Sequence, residues 1–267
     1  MKPFPGRHIL ISAVFAFSLS ILLSSAGLSQ EQSYDGLWFL GFNMKKDVFN
    51  GQKGKLLRQA FNYAIDRQYI CKNIIGDNNI PTGVIPMGMP GSNINIEGYP
   101  YSPAEAAKLI RQAGYSKKDR RLKGFLLIHT NGVKTVQIAQ LIKKDLSAVG
   151  IEIKLKNIDY EEEDTWENEL MEKKEHLFLM GYKSSIQPFE NKNDDISRTE
   201  QFLRDLFYSG GEANMGSLKN KGLDAIIDTI SATASSEPEL KLKLLEKANR
   251  VMTNDPVTVN LFYIKEL

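Results

Sequence analysis

Residues able to do chemistry are present in this chain, but not at the spacings that bring several of them to one atom. His129 and His176, with the single cysteine Cys71, match neither His-x-x-x-His nor Cys-x-x-Cys, so no metal site is expected. The stretch Gly51-Gln52-Lys53-Gly54-Lys55 lacks the Gly-x-x-x-x-Gly-Lys-Ser/Thr spacing of a phosphate loop, and no Gly-x-Ser-x-Gly elbow occurs. The acidic run Glu161-Glu162-Glu163-Asp164 opens a predicted helix, where the helix dipole and solvent account for it without a cation. The chain therefore reads as a non-enzyme without a cofactor. What remains is binding chemistry. Tyr182 closes a predicted strand over residues 176–182, and α/β sheets present ligand contacts at the carboxyl ends of their strands. The alternative is an aromatic that covers a sheet edge. Lys183, next in line, is either a solvated lysine or a contact for an anionic group.

Positioning these residues requires a scaffold, and its outline is visible in the hydrophobic periodicity. Residues 57–67 place Leu57, Phe61, Ala64 and Ile65 at helical spacing. A second helix opens at Ser102-Pro103-Ala104-Glu105, a capping box with proline at the first helical position. It stacks Ala106, Leu109, Ile110 and Ala113 on one face and stops at Gly114. Between them lie an apolar helical segment, residues 69–75, and a loop over residues 76–101 with four prolines and five glycines. A loop of that length either serves function or wraps a neighbouring surface. Cys71, on the apolar segment, is expected as a small buried hydrophobe with no disulfide partner.

Beyond Gly114 the pattern alternates. Residues 123–130 read as a strand, 134–149 as a helix and 151–157 as a half-buried strand with Ile151, Ile153 and Leu155 on one face. Residues 160–173 read as a helix, with the 176–182 strand after it. From Ile196 the chain is mainly helical, with Asp194-Asp195 expected to cap the first of these helices. Residues 37–43 and 257–263 read as the first and last strands, with a turn expected at Asn50-Gly51. This order predicts an α/β fold in which a mixed sheet is covered by helices.

Bulk properties are those of an ordinary globular protein: 42% hydrophobic and 25% charged residues in 267. The formal charge of +2 comes from Lys2 and Arg7; from Gln30 onward 32 basic residues face 32 acidic ones. That balance gives no electrostatic case for nucleic acid or an anionic membrane. Lys2, Arg7 and His8 precede an apolar run, 9–23, that ends in small residues at Ser24-Ser25-Ala26-Gly27. Residues 1–29 are thus expected to be a secretory signal peptide, with an uncleaved anchor as the alternative. No cysteine stands at the junction to carry a lipid anchor, so a periplasmic location is expected.

The ordered series carries a resemblance. Leu40-Gly41-Phe42-Asn43, the helix ending Ala64-Ile65-Asp66-Arg67, the loop Ile85-Pro86-Met87-Gly88, the helix at 101–115 and the helix and strand through Ile153 follow one another in a family-specific order. Together they resemble the second half of the family-5 extracellular solute-binding proteins of ABC importers, which carry dipeptides, oligopeptides or nickel, over residues 37–263. The resemblance implies the C-terminal lobe of a type-II periplasmic-binding-protein-like, or Venus flytrap, fold across residues 30–267, with the first lobe absent. It implies a peptide or small peptide-like solute and an ABC permease as partners. The ligand face would hold Tyr182, Lys183, Ser184, Ser185 and Asn214, with Asn43 near the hinge. Asn214 lies in a Gly-rich loop, where turn formation is the alternative. The chain departs from the peptide-binding pattern in one respect: no carboxylate follows Tyr182 for several residues, so the usual anchor for a ligand ammonium is missing. Three readings stay open for the single lobe: part of a split receptor whose other lobe is a separate chain, a one-lobe binder, or a truncated remnant. A fourth is an interaction or scaffold domain that docks on a membrane protein through its vacated face.

Overall fold

Five strands make one mixed sheet in the order β3-β2-β4-β1-β5, in a computed structural model that describes residues 34–93, 95–159, 165–184 and 192–265. The strands are β1 (Tyr34–Phe42), β2 (Lys123–Thr130), β3 (Glu152–Ile158), β4 (Leu177–Lys183) and β5 (Thr258–Lys265). β3, β2 and β4 run parallel, and β1 lies antiparallel between β4 and β5. The helices are α1 (Gly51–Ala64), α2 (Arg67–Tyr69), α3 (Pro103–Gln112), α4 (Val133–Ala148), α5 (Thr165–Glu172), α6 (Lys192–Phe207), α7 (Lys221–Ala232) and α8 (Pro238–Asn254). The α/β architecture expected from the sequence is the one observed.

Alternation along the strands divides the core in two. In β1, Leu40 and Phe42 pack under α1, α3 and α4, where Phe42 meets Phe49 and Phe61 at centroid distances of 5.0 and 5.3 Å. Leu37 and Phe39 point the other way, into a cluster built from α6, α7 and α8. This period-two division between opposite faces is what a strand backbone imposes.

Several boundaries differ from the sequence reading for identifiable reasons. α1 starts at Gly51, six residues before Leu57, because a 3-10 turn over Asp47–Phe49 packs its backbone directly against Gly54, where any Cβ would collide with the Phe49 carbonyl. Asn50-Gly51 is thus a helix start, with Gly51 in the left-handed region at φ +63°. The helix breaks at Ile65, Asp66 caps a new start by accepting from the Tyr69 amide at 2.9 Å, and a π-helical turn over Ile70–Ile75 follows. Half of the capping box forms: Ser102 Oγ accepts from the Glu105 amide at 3.3 Å. The Glu105 carboxylate instead turns outward to Lys108 at 2.9 Å, since the Ser102 amide already donates to the Tyr63 carbonyl. Asp194 and Asp195 fall inside the first turn of α6 rather than ahead of it. The acidic run at 161–164 and Ser185 lie outside the described residues.

The loop after Gly76 wraps a neighbouring surface and is fastened by buried polar groups. Arg67 donates to the carbonyls of Pro81, at 3.0 Å, and of Tyr99. Asn249 of α8 accepts from the Val84 amide at 2.9 Å and donates to the Gly91 carbonyl at 3.1 Å. Tyr263 donates to the Gly83 carbonyl at 3.1 Å and Tyr99 to the Thr253 carbonyl at 2.6 Å. Burial brings the Arg67 guanidinium down to about 10 and pushes the Cys71 thiol up to about 11, so at neutral pH Arg67 is still charged and Cys71 is an inert thiol in the core. Replacing Arg67 with Met would orphan carbonyls on both limbs of the loop. Urea denaturation should show a loss of roughly 2–4 kcal/mol, with new protease cleavage confined to residues 76–101.

Glu175, 1% exposed, precedes β4 and carries one carboxylate oxygen, Oε2, without a hydrogen-bond partner among the described residues. Its Oε1 accepts from Asn43 at 3.1 Å. Burial above all raises its pKa over the ordinary 4.5, so the ionised form costs stability, and the cost grows as pH rises through the folded value. Glu175→Gln keeps the Asn43 bond without the charge. Thermal melts should show the variant more stable than the parent at pH 8, with the gap closing toward pH 4.

Candidate functional site

The site grows from unequal pairing along β4. Its β1 edge is paired from Leu177 to Lys183, but β2 pairs with it only at Leu177 and Phe178, although β2 itself runs on to Thr130 beside β3. Beyond Phe178 the β2-side edge of β4 faces a groove of about 600 Å³ in which Trp38, Trp166, Leu170, Met180 and Met215 meet Thr130 and Asn131. Both tryptophans of the chain line it.

Each wall has a cause. Trp38 stacks on Phe262 at 5.8 Å with an interplanar angle of 8°, and it fits across β4 only because its ladder partner is Gly181, where a Cβ would lie within the ring. Its Nε1 is buried without a hydrogen-bond partner among the described residues. Asn131 donates to Asp159 at 2.7 Å, which fixes the turn after β2. Lys173, left-handed at φ 54°, donates from Nζ to the Met215 carbonyl at 2.6 Å and holds that methionine in place. Among the described residues none that lines the groove is charged, and those residues offer apolar surface, amide and hydroxyl groups, and strand backbone.

Of the residues expected at the ligand face, Tyr182, Lys183, Ser184 and Asn214 are described, and none of them lines this groove. Tyr182 shares the α6-facing side of the sheet with Met180 but turns to Phe202, packing on it at 5.7 Å and donating to Asp205; burial and that carboxylate push its hydroxyl far above the ordinary 10. Lys183 pairs with Asp35 at 3.0 Å, and Arg198 approaches the same carboxylate at 3.7 Å. The Ser184 amide donates to the Asp35 carbonyl at 2.8 Å, and its hydroxyl is buried without a partner among the described residues. Asn214 closes its own loop, donating to the carbonyls of Tyr208 and Leu218 and accepting from the Leu218 amide, all at 2.9 Å. Its neighbour Met215 is the residue that reaches the groove. Asn43 is fully buried at the opposite end of β1 from Tyr34, donating to the Glu175 and Lys173 carbonyls at 2.9 and 3.3 Å, so its contacts lie within the lobe. Sequence reasoning passed over Trp38, Trp166, Met215 and Asp35. The pair of tryptophans, being the chain's whole complement, was the signal available.

The model of the bacterial extracellular solute-binding proteins, family 5 middle region, matches residues 9–197, a span that opens within the N-terminal apolar run. The chain belongs to this family. Among curated relatives, heme-binding protein A of Haemophilus influenzae is 26% identical over 234 residues, covering 84% of this chain and 38% of that protein. The solved structure of the ABC transporter substrate-binding protein CtaP from Listeria monocytogenes superposes with a TM-score of 0.71 at 22% identity, over 87% of this chain and 44% of that one. This family-5 chain thus spans well under half the length of either. A solved peptide-binding protein of a peptide ABC transporter, with a TM-score of 0.66 and 16% identity, is covered over 98% of its own length and matches 85% of this chain. The fold is that of one lobe of a periplasmic binding protein.

The Trp38–Gly181 contact can be tested directly. Gly181→Val should expel the indole, lowering stability by about 1–3 kcal/mol through overpacking. In a Trp166→Phe background, its emission should shift red and acrylamide should quench it more strongly than in the parent.

Proposed function

We propose that this chain is the solute-binding component of an ABC importer for peptides or peptide-like solutes, exported to the periplasm by residues 1–29 and acting without catalysis. The observation that carries the reading is the unpaired edge of β4 opening onto the groove between Trp38 and Trp166. A strand edge with free N–H and C=O groups accepts an extended peptide by strand addition, in which backbone bonds supply affinity and flanking pockets take alternate side chains. Seated there, a ligand residue would pack between the indoles and Met180, while Tyr182, Lys183, Ser184, Ser185 and Asn214 form the rim toward the ligand's next residues. Asn43 would act on the hinge only through the β1 end that it fastens. The Asp35 carboxylate beside Lys183 is already shared by two cations, so a ligand ammonium would have to displace one of them.

Capture by one wall leaves half of the ligand in water. A second lobe, from a longer form of the chain or from a separate chain, would supply the opposing wall and the closed state that an ABC permease recognises. Because both tryptophans flank the groove, intrinsic fluorescence reports on it. An apolar pentapeptide should change the emission saturably at high-micromolar to millimolar concentration. The same peptide N-methylated at alternate amides should not, and Trp38→Ala should abolish the response. An equal response to the N-methylated peptide, or silence with both, would reject capture by strand addition.

A further inference from the structure

From Gln30 onward charge is balanced in sum but not in place. Residues 105–123 contain seven basic side chains and two acidic ones. Three of the cations are matched: Lys108 by Glu105 at 2.9 Å, Arg121 by Asp119 at 2.6 Å, and Lys123 by Glu152 of β3 at 2.5 Å. The other four, Arg111, Lys117, Lys118 and Arg120, are exposed and have no ion-pair partner among the described residues. Two of them, Arg111 and Lys117, line a groove of about 770 Å³ between α3 and the carboxyl end of α4, and Lys118 and Arg120 follow on the turn after it. Its floor is apolar and mostly small, with Ala104, Ala107, Ile110 and Ala148, and Arg111 and Lys117 stand on its walls. Arg121 is locked at one end, its guanidinium 4.6 Å from the Tyr115 ring centroid and donating to the Gly114 carbonyl at 3.1 Å.

A second groove of about 670 Å³ adjoins the first at Ala148 and displays Tyr69 and Tyr101, which are 49% and 46% exposed. The tyrosines share that second groove with Lys144, Asp66 and Asp145, and exposed aromatic and arginine side chains on neighbouring grooves are the composition of protein interfaces, where such anchors dominate the energy. The surface lies near Lys123, at the start of β2, whereas the tryptophan groove lies at the other end of that strand. At about 3.3 Å per residue, the two are on the order of 25 Å apart.

The geometry points to a docking site on α3 and α4 for an acidic amphipathic helix of a partner protein, distinct from the solute groove and independent of what that groove binds. Small side chains on the floor let a helix backbone approach closely. The unpaired cations meet carboxylates along its flank and set its orientation. A concave floor selects a protruding segment over a planar surface.

A fluorescently labelled helical peptide, with glutamates on one face and alanine and leucine on the other, is the probe. Its anisotropy should rise with the intact chain at low ionic strength and fall back as salt is added. Arg111→Glu with Lys117→Glu should weaken binding roughly tenfold. Ala107→Trp, which fills the floor and leaves every cation in place, should weaken it as well. Lys118→Glu with Arg120→Glu, on the open turn, gives a second charge test should the first pair perturb folding, which thermal melts monitor. A lysine-for-glutamate version of the peptide should not bind. Binding that ignores the charge reversals, or that survives Ala107→Trp unchanged, would overturn the site. So would failure of the acidic peptide to bind while vesicles of phosphatidylglycerol sediment the chain through Arg111 and Lys117, since the surface would then read lipid headgroups.

Discussion

The register between β1 and β4 is the constraint on which the rest of the lobe depends. β1 is an interior strand, paired on both edges and buried on both faces, so each of its side chains has one permitted direction. Two glycine–aromatic pairs hold it there. Trp38 lies against Gly181 on one face, and Phe178 lies against Gly41 on the other; in each pair the glycine is the direct ladder partner of the ring. An aromatic ring lying over a cross-strand glycine is a known way to pin a ladder. A one-residue slip would face each ring with a side chain in place of hydrogen and would turn Leu40 and Phe42 out of their cluster. The same pairing brings Asp35 beside Lys183 and opens the free edge of β4 to the groove. Fold and site therefore share a single determinant.

Around that ladder the lobe uses buried polar groups to fasten segments that have no regular structure. Arg58 reaches the carbonyls of Phe49 and Pro256 and the Asp255 carboxylate, which joins the start of α1 to the end of α8. Arg67 does the same for the two limbs of the loop, with carbonyls as its hydrogen-bond partners among the described residues. A guanidinium suits this role because its five donors are fixed in one plane and it keeps its charge when burial lowers its pKa. The result is a loop of irregular backbone that behaves as a strap across α8 and β5. Local turns such as the Met89 amide to the Pro86 carbonyl shape this segment, and contacts distant in sequence fasten it to the body.

Much of the scaffold was legible in the chain. Strand 123–130 and the helix after it follow from apolar periodicity and the glycine at 150, and the Ser102 cap and the long loop follow from their residue types. The start of α1 was hidden because Gly51 and Gly54 are poor helix formers; a tertiary contact with Phe49 makes glycine the residue that fits. The site was less legible. Tyr182 and Lys183 sit at a strand end, as read, yet Tyr182 turns toward Asp205 and Lys183 toward Asp35. Both partners come from other segments. Trp38 and Trp166 stand far apart in sequence, and nothing in the local pattern of either indicates that they line one groove.

By itself, then, the sequence determined the kinds and order of the elements, the family and the absence of metal- or phosphate-binding spacings, because these depend on residue type and on separations of a few positions. Tertiary structure decided which strand edges pair and where they stop. It also decided which carboxylate faces which cation, and that a chain whose charges balance from Gln30 onward concentrates unpaired cations beside α3. Those outcomes depend on distances between segments tens to hundreds of residues apart, and the physical reason is plain. Pairing energies act through space, over hydrogen-bond lengths and a Debye length, and no short window of sequence contains both partners.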